Sequence, residues 1–158
     1  TDPRLLDAGA RLLLRSSDPL PEATDAGAEG YDDHRLALGL PDGSRDMILD
    51  KSILLESGFD ELHGVDWNKG CYMGQELTAR TKYRGLVKKR LVPVSIDGPL
   101  PASGTDVTAD GKTVGEVRSG LGGKALALIR LEALENKTAA MRAGDATVTP
   151  HRPPWAEF

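Results

Sequence analysis

The sequence predicts an α+β fold, with a mixed helix-and-strand region over residues 1–86 and a small antiparallel β-barrel over residues 87–158. Three observations carry this expectation. Val92, Val94 and Ile96 alternate on one face, which is the period of a strand. Asp110-Gly111, set between Val107 and Val114, is a two-residue hairpin signal. Gln75 to Tyr83 consists of good helix formers without proline, and Gly85 supplies a stop.

Taken in order, Gly9 to Leu14 ends in three leucines and predicts a buried strand. Ser16 to Glu22, with two prolines, predicts a loop. Thr24 to Leu38 predicts a helix, closed by Gly39 with Pro41 just beyond. Residues 43–68 predict an irregular connector with short strand-like runs. A loop around Cys71 follows, and then the helix over 75–83, with Gly74 as its N-cap. In the second region the hairpin at Asp110-Gly111 is followed by a turn over Gly120 to Gly123. Lys124 to Leu131 is a nearly continuous apolar strand, and Ala146 to Thr149 is the last one. Short strands at this spacing indicate a small barrel. The tail from His151 to Phe158 holds too many prolines for a strand interior.

With 158 residues the chain is long enough to bury a real core. No apolar run approaches the roughly 18 residues of a membrane span, so no membrane role is expected. A single cysteine excludes an internal disulfide and suits a reducing compartment. Charge is unevenly placed. The chain carries a net charge of −4, yet Lys69 to Val92 holds seven cations against the one acid Glu76. Such a strip focuses an anionic partner, whether a small anion, an acidic protein face or nucleic acid. The plain alternative is a solvated helix face leading into a strand edge that Lys88 and Lys89 protect. Arg80 and Arg84, four residues apart, share one helix face, and Glu76 and Arg80 are spaced as a helical ion pair. His34, His63 and His151 are scattered and lack metal-ligand spacing. Nucleotide-binding glycine motifs are absent, and nucleic acid is the weakest of the partners considered.

The most specific stretch is Lys69-Gly70-Cys71-Tyr72-Met73-Gly74-Gln75-Glu76. Gly70 and Gly74 allow backbone conformations closed to other residues. Cys71 precedes a helix start, where free N–H groups and the positive end of the helix dipole gather, and Lys69 adds a cation. Both features favour a thiolate, hence a nucleophile, a redox centre or a soft metal ligand. The competing reading is a buried, inert thiol. One cysteine cannot hold a cluster alone, so any cluster at Cys71 requires ligands from elsewhere.

This octapeptide, with Ala79-Arg80 and Arg84-Gly85 after it, resembles the signature of the YgfZ/Iba57 folate-binding proteins, relatives of the glycine-cleavage T-protein, an aminomethyltransferase. Asp2-Pro3-Arg4 with Gly9 and Arg11 is similar to the opening block of that family. Tyr31-Asp32-Asp33-His34-Arg35, then Gly39-Leu40-Pro41, Gly43 and Asp46, resembles a second block. Ile53-Leu54-Leu55-Glu56 looks like its L-P-L-E element without the proline. Val114-Gly115-Glu116-Val117 and Ala125 to Ile129 resemble the terminal barrel.

The resemblance implies the C-terminal part of a T-protein-like fold, with residues 1–86 a partial folate-binding α/β region. It implies an accessory factor for iron–sulfur cluster assembly or repair that binds tetrahydrofolate and works with A-type cluster carriers. On this footing Lys69, Gly70, Cys71, Tyr72, Gly74, Gln75 and Glu76 form the functional motif, and Cys71 is the candidate ligand of a transiently shared cluster. Tyr31, Arg35, Arg80 and Arg84 are the candidate folate contacts, and Trp67 either stacks on a pterin or packs in the core. Family members are longer, and the chain starts without Met, so it is expected to be a C-terminal part carrying half of an interdomain folate pocket. The compartment expected is the bacterial cytoplasm, with the mitochondrial matrix as the alternative. The alternative function is folate-dependent aminomethyl transfer; an RNA-binding module is a third. Ala37 stands where T-proteins carry a folate-holding carboxylate, which, with Cys71 present, favours cluster assembly and a non-catalytic role. No catalytic residue is assigned.

Overall fold

The computed structural model describes residues 1–19, 21–136 and 140–158. Six strands make a closed antiparallel barrel: β1 (Lys89–Asp97), β2 (Asp106–Ala109), β3 (Lys112–Leu121), β4 (Lys124–Arg130), β5 (Met141–Ala143) and β6 (Ala146–Pro150). Around the barrel the order is β1-β4-β3-β2-β5-β6, and β6 closes back onto β1. Four helices accompany it: α1 (Gly27–Leu38), α2 (Gly43–Asp46), α3 (Gln75–Tyr83) and α4 (Leu131–Glu135), with single 3₁₀ turns at Leu6–Ala8 and Leu54–Ser57.

Side-chain alternation builds the barrel core. Val92, Val94 and Ile96 of β1 point inward, as the sequence predicts, against Val107, Val117, Ala125, Ala127, Ile129, Met141 and Val148. The outward residues Leu91 of β1 and Leu126 of β4 are also buried, because Leu36 of α1 packs over them. Strands covered on both faces read as continuous apolar runs, which explains the composition of Lys124 to Arg130. The expected hairpin is present. Asp110 and Gly111 both have positive φ, 50° and 74°, the type I′ pattern that joins β2 to β3.

Helix α1 ends as the sequence predicts. Gly39 takes φ 73°, and Leu40 N donates to Arg35 O at 2.8 Å. Its start is three residues later than expected, at Gly27, with Gly27 N donating to Asp25 Oδ1. From the tail, Trp155 Nε1 donates to Leu38 O at 2.7 Å and fixes the same helix end.

Other expectations need correction. Gly9 to Leu14 forms no strand; it has no ladder partner among the described residues, and Leu12, Leu13 and Leu14 are exposed. Apolar content alone cannot hold a strand whose backbone lacks a neighbour. The strand-like runs expected within 43–68 are helical turns instead, α2 and Leu54–Ser57. Gly120 lies inside β3, so the turn before β4 contains only Gly122-Gly123. Leu131 opens α4 rather than ending β4. Neither α4 nor β5 is anticipated by the sequence. Of the expected loop from Ser16 to Glu22, Leu20 lies outside the described residues.

Candidate functional site around the cysteine loop

Cys71 is exposed and free, so the inert, buried alternative does not describe it. Its loop runs into α3 through Gly74, the N-cap, at φ 83°, and Gly70 on the other side has φ 86°. A Cβ at either glycine would meet nothing within 4 Å, so the loop stands in open space. What holds it is a clasp between Tyr72 and Gln75. Tyr72 N donates to Gln75 Oε1 at 3.2 Å, and Gln75 N donates to Tyr72 O at 3.2 Å. This arrangement satisfies an N–H at the helix start that would otherwise lack a partner. The Lys69 ammonium lies 4.6 Å from the centre of the Tyr72 ring. Glu76 and Arg80 form the expected ion pair on the exposed side of the helix. Among the described residues, no group of three or more His, Cys, Asp or Glu could hold a metal ion, so Cys71 stands apart from any ligand set.

Helix α3 is fastened from behind. Thr81 is buried, and α3 packs on the Leu54–Ser57 turn. Lys82 Nζ bonds Asp60 at 2.7 Å and lies 4.3 Å from the Trp67 ring centre. Trp67 Nε1 donates to the same carboxylate at 2.7 Å, and its ring meets Tyr83 edge-on. Trp67 is thus engaged in holding helix to loop. The front of α3 has no cover. Met73, just before the helix, and Leu77 are 99% and 65% exposed. Sequence reasoning missed this pair; the signal available was Met73 just before the helix and Leu77 in its first turn, both apolar in a segment otherwise rich in polar residues.

The four expected folate contacts differ in burial and in partners. Tyr31 is half exposed on α1, its hydroxyl 3.5 Å from Arg11 Nη2. Arg35 is sealed, with 1% of its side chain exposed. Its Nε donates to Asp32 Oδ1 at 2.6 Å, Nη1 to Asp46 Oδ2 at 2.9 Å and to Leu40 O at 3.3 Å, and Nη2 to Ser119 Oγ at 2.8 Å. Asp46 is equally enclosed and accepts from Asp42 N and from both N and Oγ of Ser119. The network ties α1 and α2 to β3. Asp46 and Ser119 belong to it, and nothing in the local sequence around either one announces that. Arg80 is on α3 and Arg84 caps its C-terminal end; α3 packs on the Leu54–Ser57 turn, whereas α1 packs on the barrel. Arg35 is thus committed to the fold, while Tyr31, Arg80 and Arg84 are exposed on their own elements.

The opening block is built around Asp2. Its buried carboxylate accepts from Arg4 N, Nε and Nη2 and from Arg11 Nε. The Arg4 guanidinium holds this carboxyl well below the usual range.

Comparison with known proteins follows this division of the chain. Residues 88–158 match the family described as CAF17, C-terminal beta-barrel domain. Across 85% of its length the chain is 41% identical, over 142 residues, to the mouse protein named iron-sulfur cluster assembly factor IBA57, mitochondrial. It is 42% identical over 141 residues to the human protein of that name. A relative from Neurospora crassa is 39% identical over 115 residues, 70% of this chain. The chain spans 40% of the length of the mouse and human relatives and 25% of the Neurospora one. With the terminal barrel matched and the cysteine octapeptide in place, the chain belongs to the YgfZ/Iba57 family.

Proposed function

We propose that the protein carrying this chain acts in iron–sulfur cluster assembly, with Cys71 as the thiol that meets a cluster or the thiols of its carrier. The observation that carries the reading is the exposed lone cysteine, clasped at the start of α3 in open space. Relatives named iron–sulfur cluster assembly factors support it. One thiolate supplies one of a cluster's ligands, so the others come from the partner and the cluster is cargo shared between two proteins. Exposed Met73 and Leu77, with Arg80 and Arg84 further along, suit a partner face that is apolar with an acidic rim. An A-type cluster carrier is the partner proposed.

Folate enters the proposal through the resemblance alone. The sealed Arg35 does not support a folate site within this chain. Binding of tetrahydrofolate therefore belongs to the longer protein, and calorimetry on this chain and on a full-length relative is expected to show much weaker binding by the chain. Equal affinity in both would place the site within residues 1–158 and overturn this reading. As to compartment, the relatives are named mitochondrial proteins and lend the bacterial cytoplasm no support. The mitochondrial matrix is the compartment proposed.

The deciding experiment replaces Cys71 with Ala in the full-length protein as the only copy in a cell. Loss of activity in iron–sulfur enzymes, with the protein still folded and present, is expected. Normal maturation of those enzymes would sink the proposal.

A further inference from the structure

A cavity of about 180 Å³ lies where the connector over residues 46–57 meets β1, β3 and β4 on the outer face of the barrel. Its charged lining comes from Asp46, Lys51, Glu56, Lys89 and Arg118. The charges do not cancel. Asp46 is fully engaged by Arg35, Ser119 and the Asp42 backbone. Burial pushes the Glu56 carboxyl up, against the pull of Lys89.

Arg118 is the informative residue. Only 7% of its side chain is exposed. Its Nη1 donates to Glu116 Oε1 at 2.8 Å, while Nε is buried and meets no acceptor. Buried N–H groups without a partner are rare, because the water they give up is not replaced. The guanidinium edge that includes Nε is the one that grips a carboxylate or phosphate side-on through two parallel hydrogen bonds. Lysine could not offer that edge. The cavity is too small for a nucleotide or a drug-sized ligand, which need roughly 300 Å³ or more.

We propose that this cavity is a binding site for a small oxyanion, a phosphate or a carboxylate group, held by Arg118 with Lys51 and Lys89 at its sides. The site is independent of Cys71 and of the cluster reading.

The test titrates the folded chain with inorganic phosphate and, separately, with acetate, at ionic strength fixed by chloride, following ³¹P line width and the chain's own amide shifts. Saturable one-site binding is expected. Phosphate alone binding would identify a phosphate site, and acetate alone a carboxylate site. Arg118→Gln should weaken binding at least tenfold, Lys89→Gln several-fold, and Lys112→Gln, which lies outside the cavity, not at all. Should Arg118→Gln fail to fold, the double variant Lys51→Gln, Lys89→Gln carries the test, since neither side chain is buried. Unchanged affinity in that variant overturns the proposal, as does the absence of saturable binding of either anion to the unaltered chain.

Discussion

Arg35 keeps its charge out of water by giving hydrogen bonds to Asp32, Asp46, Ser119 and the Leu40 carbonyl. Breaking one side of a buried pair is costly because the partner's charge remains. Arg35→Ala should therefore destabilise the chain by about 3–5 kcal/mol, read from urea unfolding. A surface contact residue would lose far less. Asp42 gives a second prediction. Its hydrogen bond from the Ser44 hydroxyl, with Ser44 N and Arg45, lowers its carboxyl to about 2. A depressed carboxyl stabilises the fold above its unfolded value near 4 and loses that contribution as pH falls toward 2. The stability gap between the unaltered chain and Asp42→Asn should thus be open at pH 6 and closed by pH 2. Asp2 and Asp32, lowered by Arg4 and Arg45 respectively, add to the acid sensitivity. The frame of Cys71 is legible in sequence because glycine is what positive φ requires at residues 70 and 74. The direction of Arg35 is not: an arginine in a motif reads the same whether it faces a ligand or a serine 84 residues away.

Among the elements, α3 combines a buried anchor, Thr81, with an uncovered front. Leu77→Ser should leave stability within about 0.5 kcal/mol, as for other surface changes, yet weaken capture of a cluster carrier in a pull-down or calorimetric assay. Unchanged binding would remove the Met73 and Leu77 pair from the proposed interface. Gly74→Ala probes the hinge of the same element. An added Cβ meets no atom, so the cost is conformational only, about 1–2 kcal/mol for a left-handed residue, and local to the helix start. The expected result is an altered alkylation rate at Cys71 with the barrel's unfolding transition preserved. The barrel was readable where local rules act, in the Asp110-Gly111 turn and the alternation of β1. It was unreadable in β5, three residues long, where periodicity has too few terms to show. The leucines of Gly9 to Leu14 misled because a strand is defined by its neighbour, and the sequence names no neighbour.

Over the whole molecule, order is unequal. The barrel closes on itself, while residues 10–19 are exposed throughout and form no ladder. Trypsin at low ratio should cut after Arg11 and Arg15 well before any site in β1 to β6, as mass spectrometry of the first products would show. Early cleavage inside the barrel would mean that closure is transient. Closure also has a meaning for synthesis. The first strand of the barrel to leave the ribosome, β1, receives its second neighbour only from β6, some fifty residues later. The helical region ahead of it waits as well, since the Asp46 carboxylate accepts from Ser119 N of β3. A nascent chain released at residue 110 would thus hold an unpaired strand edge and an enclosed carboxylate with no lid. An unpaired edge of this kind invites wrong pairing, which makes such a chain a natural client for chaperones.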